Sequence, residues 1–153
     1  MSAVALLLSA ACLLAPQSGT RLHKGPNFDI RYPSEFKVRK GRTDDSYYFT
    51  SRDKSVEFFV FSPLWNGDPS EIFLNAKTEK VLSETRETKK MIVVYRATYG
   101  AKDESYKRSV EDVENKEYNT RYTFGYKYRD QKAFEKYRKA YLAFKKSLKQ
   151  YAD

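Results

Sequence analysis

From Asn27 onward the chain carries two hydrophobic periods, one of two residues over most of its length and one near 3.6 residues at its C-terminal end. Phe28, Ile30 and Tyr32 alternate with Asp29 and Arg31, the pattern of a strand buried on one side. Pro33-Ser34 turns the chain, and Phe36 and Val38 continue a second short strand to Lys40-Gly41. Residues 46–52 and 55–62 flank Asp53-Lys54 and predict a hairpin. Residues 80–88 and 91–99 predict another around Lys89-Lys90. There Met91-Ile92-Val93-Val94-Tyr95 is apolar on both faces, which predicts a central strand covered on both sides. Residues 104–113 and 118–128 predict a third hairpin. In its second strand Tyr118, Thr120, Tyr122, Phe124, Tyr126 and Tyr128 share one face, and Asn119, Arg121, Thr123, Gly125, Lys127 and Arg129 share the other.

Helical spacing occurs twice. Asp68 is placed to cap free N–H groups and Pro69 fits a first helical position, so a short helix is expected from there to about Lys77, with Ile72, Phe73 and Ala76 on one face. After Asp130, a second N-cap candidate, Phe134, Tyr137, Tyr141, Phe144 and Leu148 recur at three and four residues and form a single apolar stripe. The lysines fall off that stripe. The stripe is expected to pack on a sheet rather than on a membrane.

The first twenty residues break both periods. They hold no charge, and residues 3–14 are nearly all apolar. That run is too short for a spanning helix of ~20 residues but suits the h-region of a secretory signal. The domain reading is therefore a signal peptide over 1–18, a polar leader over 19–26 and one α+β domain over 27–153. Cleavage after Ala11 would instead leave Cys12 at the N-terminus, as a candidate lipidation site in a loose lipobox, Leu8-Ser9-Ala10-Ala11-Cys12.

Composition then narrows the chemistry. Removing the signal leaves about 130 residues, enough for one compact core. Cys12 is the only cysteine and His23, in the leader, the only histidine. The expected domain thus has no disulfide, no zinc pattern and no imidazole for nucleophile activation unless the leader folds back. No glycine-rich phosphate loop and no calcium loop spacing occurs, so no catalytic residue, metal or other cofactor is expected. The acidic pairs Asp44-Asp45, Asp103-Glu104 and Glu111-Asp112 read as solvated surface. The net charge of +9 draws an exported chain towards anionic partners. The aromatic face of residues 118–128 reads as core rather than as a base-stacking platform, so no nucleic acid is expected. Trp65 lies in the loop Pro63-Leu64-Trp65-Asn66-Gly67-Asp68. It reads either as an exposed anchor for a partner or as a lid folded over the core.

Phe28-x-Ile30-x-Tyr32-Pro33, the aromatic at Phe36, the strand Phe59-Val60-Phe61 and the final Tyr141-Leu142-x-Phe144-x-x-Ser147-Leu148 together resemble the PsbP/Mog-like family over residues 27–150. The resemblance implies an α+β fold in which an antiparallel β-sheet is sandwiched by the short helix and the C-terminal amphipathic helix. It also implies the family's non-enzymatic accessory roles, which include a lumenal photosystem subunit, a binder of a nuclear GTPase and small bacterial envelope proteins. The tryptophan usual near Phe36 is absent, and no functional residue set carries over. The expectation is a monomeric, periplasmic or secreted binding protein of the bacterial envelope, its partner a protein or an anionic envelope component, with weak membrane-surface association. The alternative is a carboxylate-dependent hydrolase acting on an anionic envelope polymer.

Overall fold

A computed structural model describes residues 19–151. The signal-peptide and Cys12 lipidation readings fall outside these residues. The elements follow as β1 (Thr20–Lys24), β2 (Phe28–Pro33), β3 (Lys37–Lys40), β4 (Ser46–Thr50), β5 (Val56–Phe61), β6 (Glu79–Lys89), β7 (Ile92–Ala101), β8 (Lys107–Asn115), β9 (Thr120–Tyr128), α1 (Gln131–Lys146) and β10 (Lys149–Gln150). All strand pairs are antiparallel. Seven strands form one sheet in the order β3-β4-β5-β9-β8-β7-β6, and β1-β2-β10 form a small second sheet.

The period of two in β9 places Phe124, Tyr126 and Tyr128 on one face of the large sheet, beside Phe58 and Val60 of β5. Helix α1 and β2 close over that face. Asp130 caps the helix by accepting from the Ala133 N–H, as the sequence indicates. Phe144 meets Phe49 and Phe58 at ring-centroid distances of 5.1 and 5.3 Å, and Tyr141 stacks on Tyr126 at 4.6 Å. The Tyr126 hydroxyl donates to the Phe134 carbonyl at 2.8 Å, which ties the first helical turn to the sheet. Aromatic pairs of this geometry add to the area they bury.

Three expectations are corrected. Residues 68–77 do not form a helix: a single 3-10 turn at Ser70–Ile72 interrupts an extended segment, so among the described residues no helix covers the second face. Residues 20–24, within the polar leader of the sequence reading, form strand β1, hydrogen-bonded along β2. The apolar run 91–95 is not covered on both sides, because β7 lies next to the edge strand β6 and Met91 and Ile92 are exposed. Tyr118 is not on the buried face of β9; it sits in the preceding turn and is 65% exposed. Lys54, Lys90 and Asn119 take the left-handed conformation that closes the β4–β5, β6–β7 and β8–β9 connections. Their positive φ adds turn signals that a search for glycine misses.

Candidate partner-binding site

The segment between β5 and β6, residues 62–78, crosses the face of the large sheet opposite α1. Backbone laid over a sheet must find hydrogen-bond partners. Two arginines supply them. Arg108 on β8 pairs with Glu79, at 2.6 Å from Nε to Oε1 and 2.7 Å from Nη2 to Oε2. Its remaining donors reach the carbonyls of Ile72 and, at 2.8 Å, Phe73. Burial pushes the Glu79 carboxyl up, but hydrogen bonds from Arg108, the Asn75 backbone and Tyr106 outweigh it and hold the group down at about 2. Gly125 lets the segment come close: an added Cβ there would sit 2.8 Å from Ile72 Cδ1.

Arg121 on β9 does the same for the other half of the segment. It holds Asp112 through two hydrogen bonds, Nε to Oδ1 at 2.9 Å and Nη2 to Oδ2 at 2.7 Å. Its Nη1 donates to the Gly67 carbonyl at 2.9 Å and to Asn66 Oδ1 at 3.3 Å. The planar guanidinium fork can serve a carboxylate and a loop at once. Asn66 donates its own N–H to the Asn119 carbonyl at 2.8 Å and its side-chain amide to Glu114 at 2.8 Å. Trp65 therefore stands on a fastened loop, and its side chain is not a lid: the residue is 53% exposed.

The same hydrogen bonds gather further apolar side chains at this end of the sheet. Asn119 follows the exposed Tyr118, and the Lys116 N–H donates to the Met91 carbonyl at 2.9 Å. Ile92 pairs with Asn115 across β7 and β8. Trp65, Tyr118, Met91 and Ile92 thus share one end of the molecule, fringed by Lys89, Lys90 and Lys116. Sequence reading isolated Trp65 and missed the other three, because it placed Tyr118 on a buried strand face and Met91 and Ile92 in a covered strand. Arg121 gave no signal of its own among many surface-compatible cations.

Beside this loop an open groove of about 630 Å³ lies between the segment and the strands β6 and β7. Phe73 and Leu74 form one wall and Glu84 and Arg86 the other, with Tyr95 and Tyr99 as floor and the Asp112–Arg121 pair at the base. The two tyrosine hydroxyls are 2.9 Å apart, and Tyr95 donates to Glu84 at 3.1 Å. Burial, with the Tyr99 and Glu84 contacts, raises the Tyr95 hydroxyl well above its ordinary range. Two carboxylates with basic neighbours thus share a groove, as the hydrolase alternative requires. Asp112, however, has both oxygens engaged by Arg121, and Oδ1 also accepts from Thr123 at 2.7 Å. A carboxylate used in this way fixes a loop and has no free oxygen to take a proton from water.

His23 does fold back, but onto aromatic rings: Tyr47 at 4.2 Å, Phe49 at 5.6 Å and Phe28 at 6.1 Å. Its Nε2 is buried with no hydrogen-bond partner among the described residues. Burial lowers its pKa below 6.5, partly offset by the charge of Asp29. Among the described residues no three His, Cys, Asp or Glu side chains gather as a metal site, and no helix is long and apolar enough to cross a membrane.

No protein-family model matches the chain, and no curated protein does. A solved structure does match: the solution structure of cyanobacterial PsbP (CyanoP) from Synechocystis sp. PCC 6803 aligns over 94% of this chain and 99% of its own length, with a TM-score of 0.55. The chain has a PsbP-like fold. Sequence identity to that structure is 9%, so the likeness is one of fold. Of the residues that carried the resemblance in sequence, Phe28, Ile30, Tyr32, Phe36, Val60, Tyr141 and Phe144 lie in the core beneath α1, Phe59 and Phe61 lie on the other face of the sheet, and Leu142 is exposed. Those that build the Trp65 end of the PsbP-like frame lie outside the core.

Proposed function

We propose that this chain is an exported, non-enzymatic binding or accessory protein of the bacterial envelope, which takes a protein or an anionic envelope component at the end of the sheet marked by Trp65. One observation carries the reading: a half-exposed tryptophan on a loop fastened by four hydrogen bonds through Asn66 and Gly67. An aromatic ring held in place before contact loses little freedom on binding, which is what interface anchors share. Exposed Tyr118, Met91 and Ile92 extend the apolar area, and lysines border it as a polar rim does. Export rests on the uncharged apolar run of residues 3–14. The engagement of Asp112 by Arg121 and Thr123 favours binding over hydrolysis.

Trp65 is the only tryptophan, so its fluorescence reports this loop alone. Titration with purified envelope proteins and with anionic envelope polymers is expected to shift its emission to the blue for the true partner. Trp65→Ala should lose at least tenfold in affinity for that partner with an unchanged melting curve, the loss typical of an anchor of more than about 1.4 kcal/mol. Equal affinity in a folded Trp65→Ala protein would remove Trp65 from the site, and a large drop in melting temperature would return it to the core.

A further inference from the structure

Strand β6 is the free edge of the large sheet, and every residue from 80 to 92 is exposed. The strand is 11 residues long and pairs with β7 on one side only. No backbone hydrogen bond from residues 80–89 to any segment other than β7 occurs among the described residues. A long edge with unpaired N–H and C=O groups is a template for another strand, and proteins normally blunt it with charges, proline or a covering element. Among the described residues no proline lies in the strand and no segment covers it, and its one irregularity, a bulge between Val81 and Ser83, leaves residues 83–89 as the regular edge. The charges also have an order: Glu84-Thr85-Arg86 is followed by Glu87-Thr88-Lys89.

An edge that pairs with a second copy of itself must obey a two-fold axis normal to the sheet. Backbone groups point outward at every second residue, so residue i can face only residues of its own parity in the partner copy. The axis then passes through one residue of β6. Through Glu84, Arg86 or Glu87 it would set like charges directly opposite, which is unfavourable. Through Thr85 it sets Glu84 opposite the partner copy's Arg86, and Arg86 opposite its Glu84, on the sheet face that carries the groove. Ser83 then faces Glu87 on the other face. No like charges meet in the central part of that register.

We infer that β6 is a self-complementary edge through which two copies of this chain join, with Thr85 on the two-fold axis, into one continuous antiparallel sheet. The two grooves walled by Glu84 and Arg86 then meet across the axis. Trp65 and Tyr118 lie off the β6 edge, while Lys89 and Lys90, which fringe them, border the seam. On this inference the chain forms a symmetric dimer where the sequence reading expects a monomer. This inference stands on the edge alone and is independent of the function proposed for Trp65.

The test is a charge exchange followed by sedimentation of the full-length chain across the micromolar range. The wild-type chain is expected to show a monomer–dimer equilibrium. Glu84→Arg and Arg86→Glu, each exposed and each checked for fold by circular dichroism, should weaken self-association about tenfold or more, because two attractive cross-strand pairs become repulsive. An equimolar mixture of the two single variants should form a heterodimer, since both opposed pairs are then complementary. The double variant E84R/R86E should recover the wild-type dimer. A wild-type chain that stays monomeric overturns the inference. So does a dimer that the single variants leave intact, or one that neither the mixture nor the double variant restores.

Discussion

Glu79 shows how a single carboxyl can hold a long segment. It is 4% exposed and receives hydrogen bonds from Arg108, Tyr106 and the Asn75 N–H. Its folded pKa of about 2 lies below the ordinary 4.5, so the folded state prefers the ionised form. Stability from this group is complete above pH 4.5 and is lost progressively as pH falls from there through about 2. The amount is on the order of 3 kcal/mol. Denaturant unfolding at a series of acid pH values is expected to show that loss, and Glu79→Gln should flatten it between those limits while lowering stability at neutral pH. A wild-type slope unchanged by Glu79→Gln would assign the acid sensitivity to other carboxylates. The substitution leaves Arg108 buried without its counter-charge, and breaking a buried pair from one side is costly.

At the scale of elements, α1 depends on its apolar stripe, since most of a protein helix's stability comes from the face it buries. Phe144 is 1% exposed and touches rings on β4, β5 and β9. Phe144→Ala is expected to cost about 3–5 kcal/mol, read from urea unfolding. A loss below about 1 kcal/mol, with vesicle binding reduced instead, would mean that the stripe faces lipid rather than the sheet. The expected helix at 68–77 failed for a tertiary reason. Its backbone carbonyls at Ile72 and Phe73 are taken by Arg108, so the chain stays open where a helix would have used them itself. Asp68 still accepts from the Ser70 N–H at 3.0 Å, which is the capping signal without the helix behind it.

Across the whole molecule the excess positive charge is spread unevenly. The outward side of α1 carries Lys132, Lys136, Arg138, Lys139 and Lys146 against a single acid, Glu135, and of these Lys136 is paired with Asp53. With +9 overall, attraction to anionic vesicles is expected at low ionic strength. Because the stripe of α1 is buried, that attraction is electrostatic, and co-sedimentation with vesicles should fade as the Debye length shrinks to about 8 Å near 0.15 M salt. It should also be insensitive to Trp65→Ala. Vesicle binding that survives this salt and requires Trp65 would instead identify the lipid surface as the partner of the Trp65 end.

The sequence alone determined the hairpins at Asp53-Lys54 and Lys89-Lys90, the aromatic face of β9 and the capped helix α1, while the PsbP-like fold was indicated by a resemblance in apolar core positions such as Phe28, Ile30 and Phe144. These features repeat locally: each is written in side chains two, three or four positions apart, where burial of one face dictates the period. Tertiary structure alone decided the rest. Arg108 and Arg121 look like any surface cation until the fold brings them beneath residues 62–78, 35 and 36 positions earlier in the case of Phe73 and Ile72. Met91, Ile92 and Tyr118 look like core until strand order places their turns at an open end of the sheet. Residues 20–24 read as part of a polar leader, and only β2 offers them an edge to pair with. In each case the deciding partner is distant in sequence, and a hydrogen bond to a distant group leaves no period in the chain that makes it.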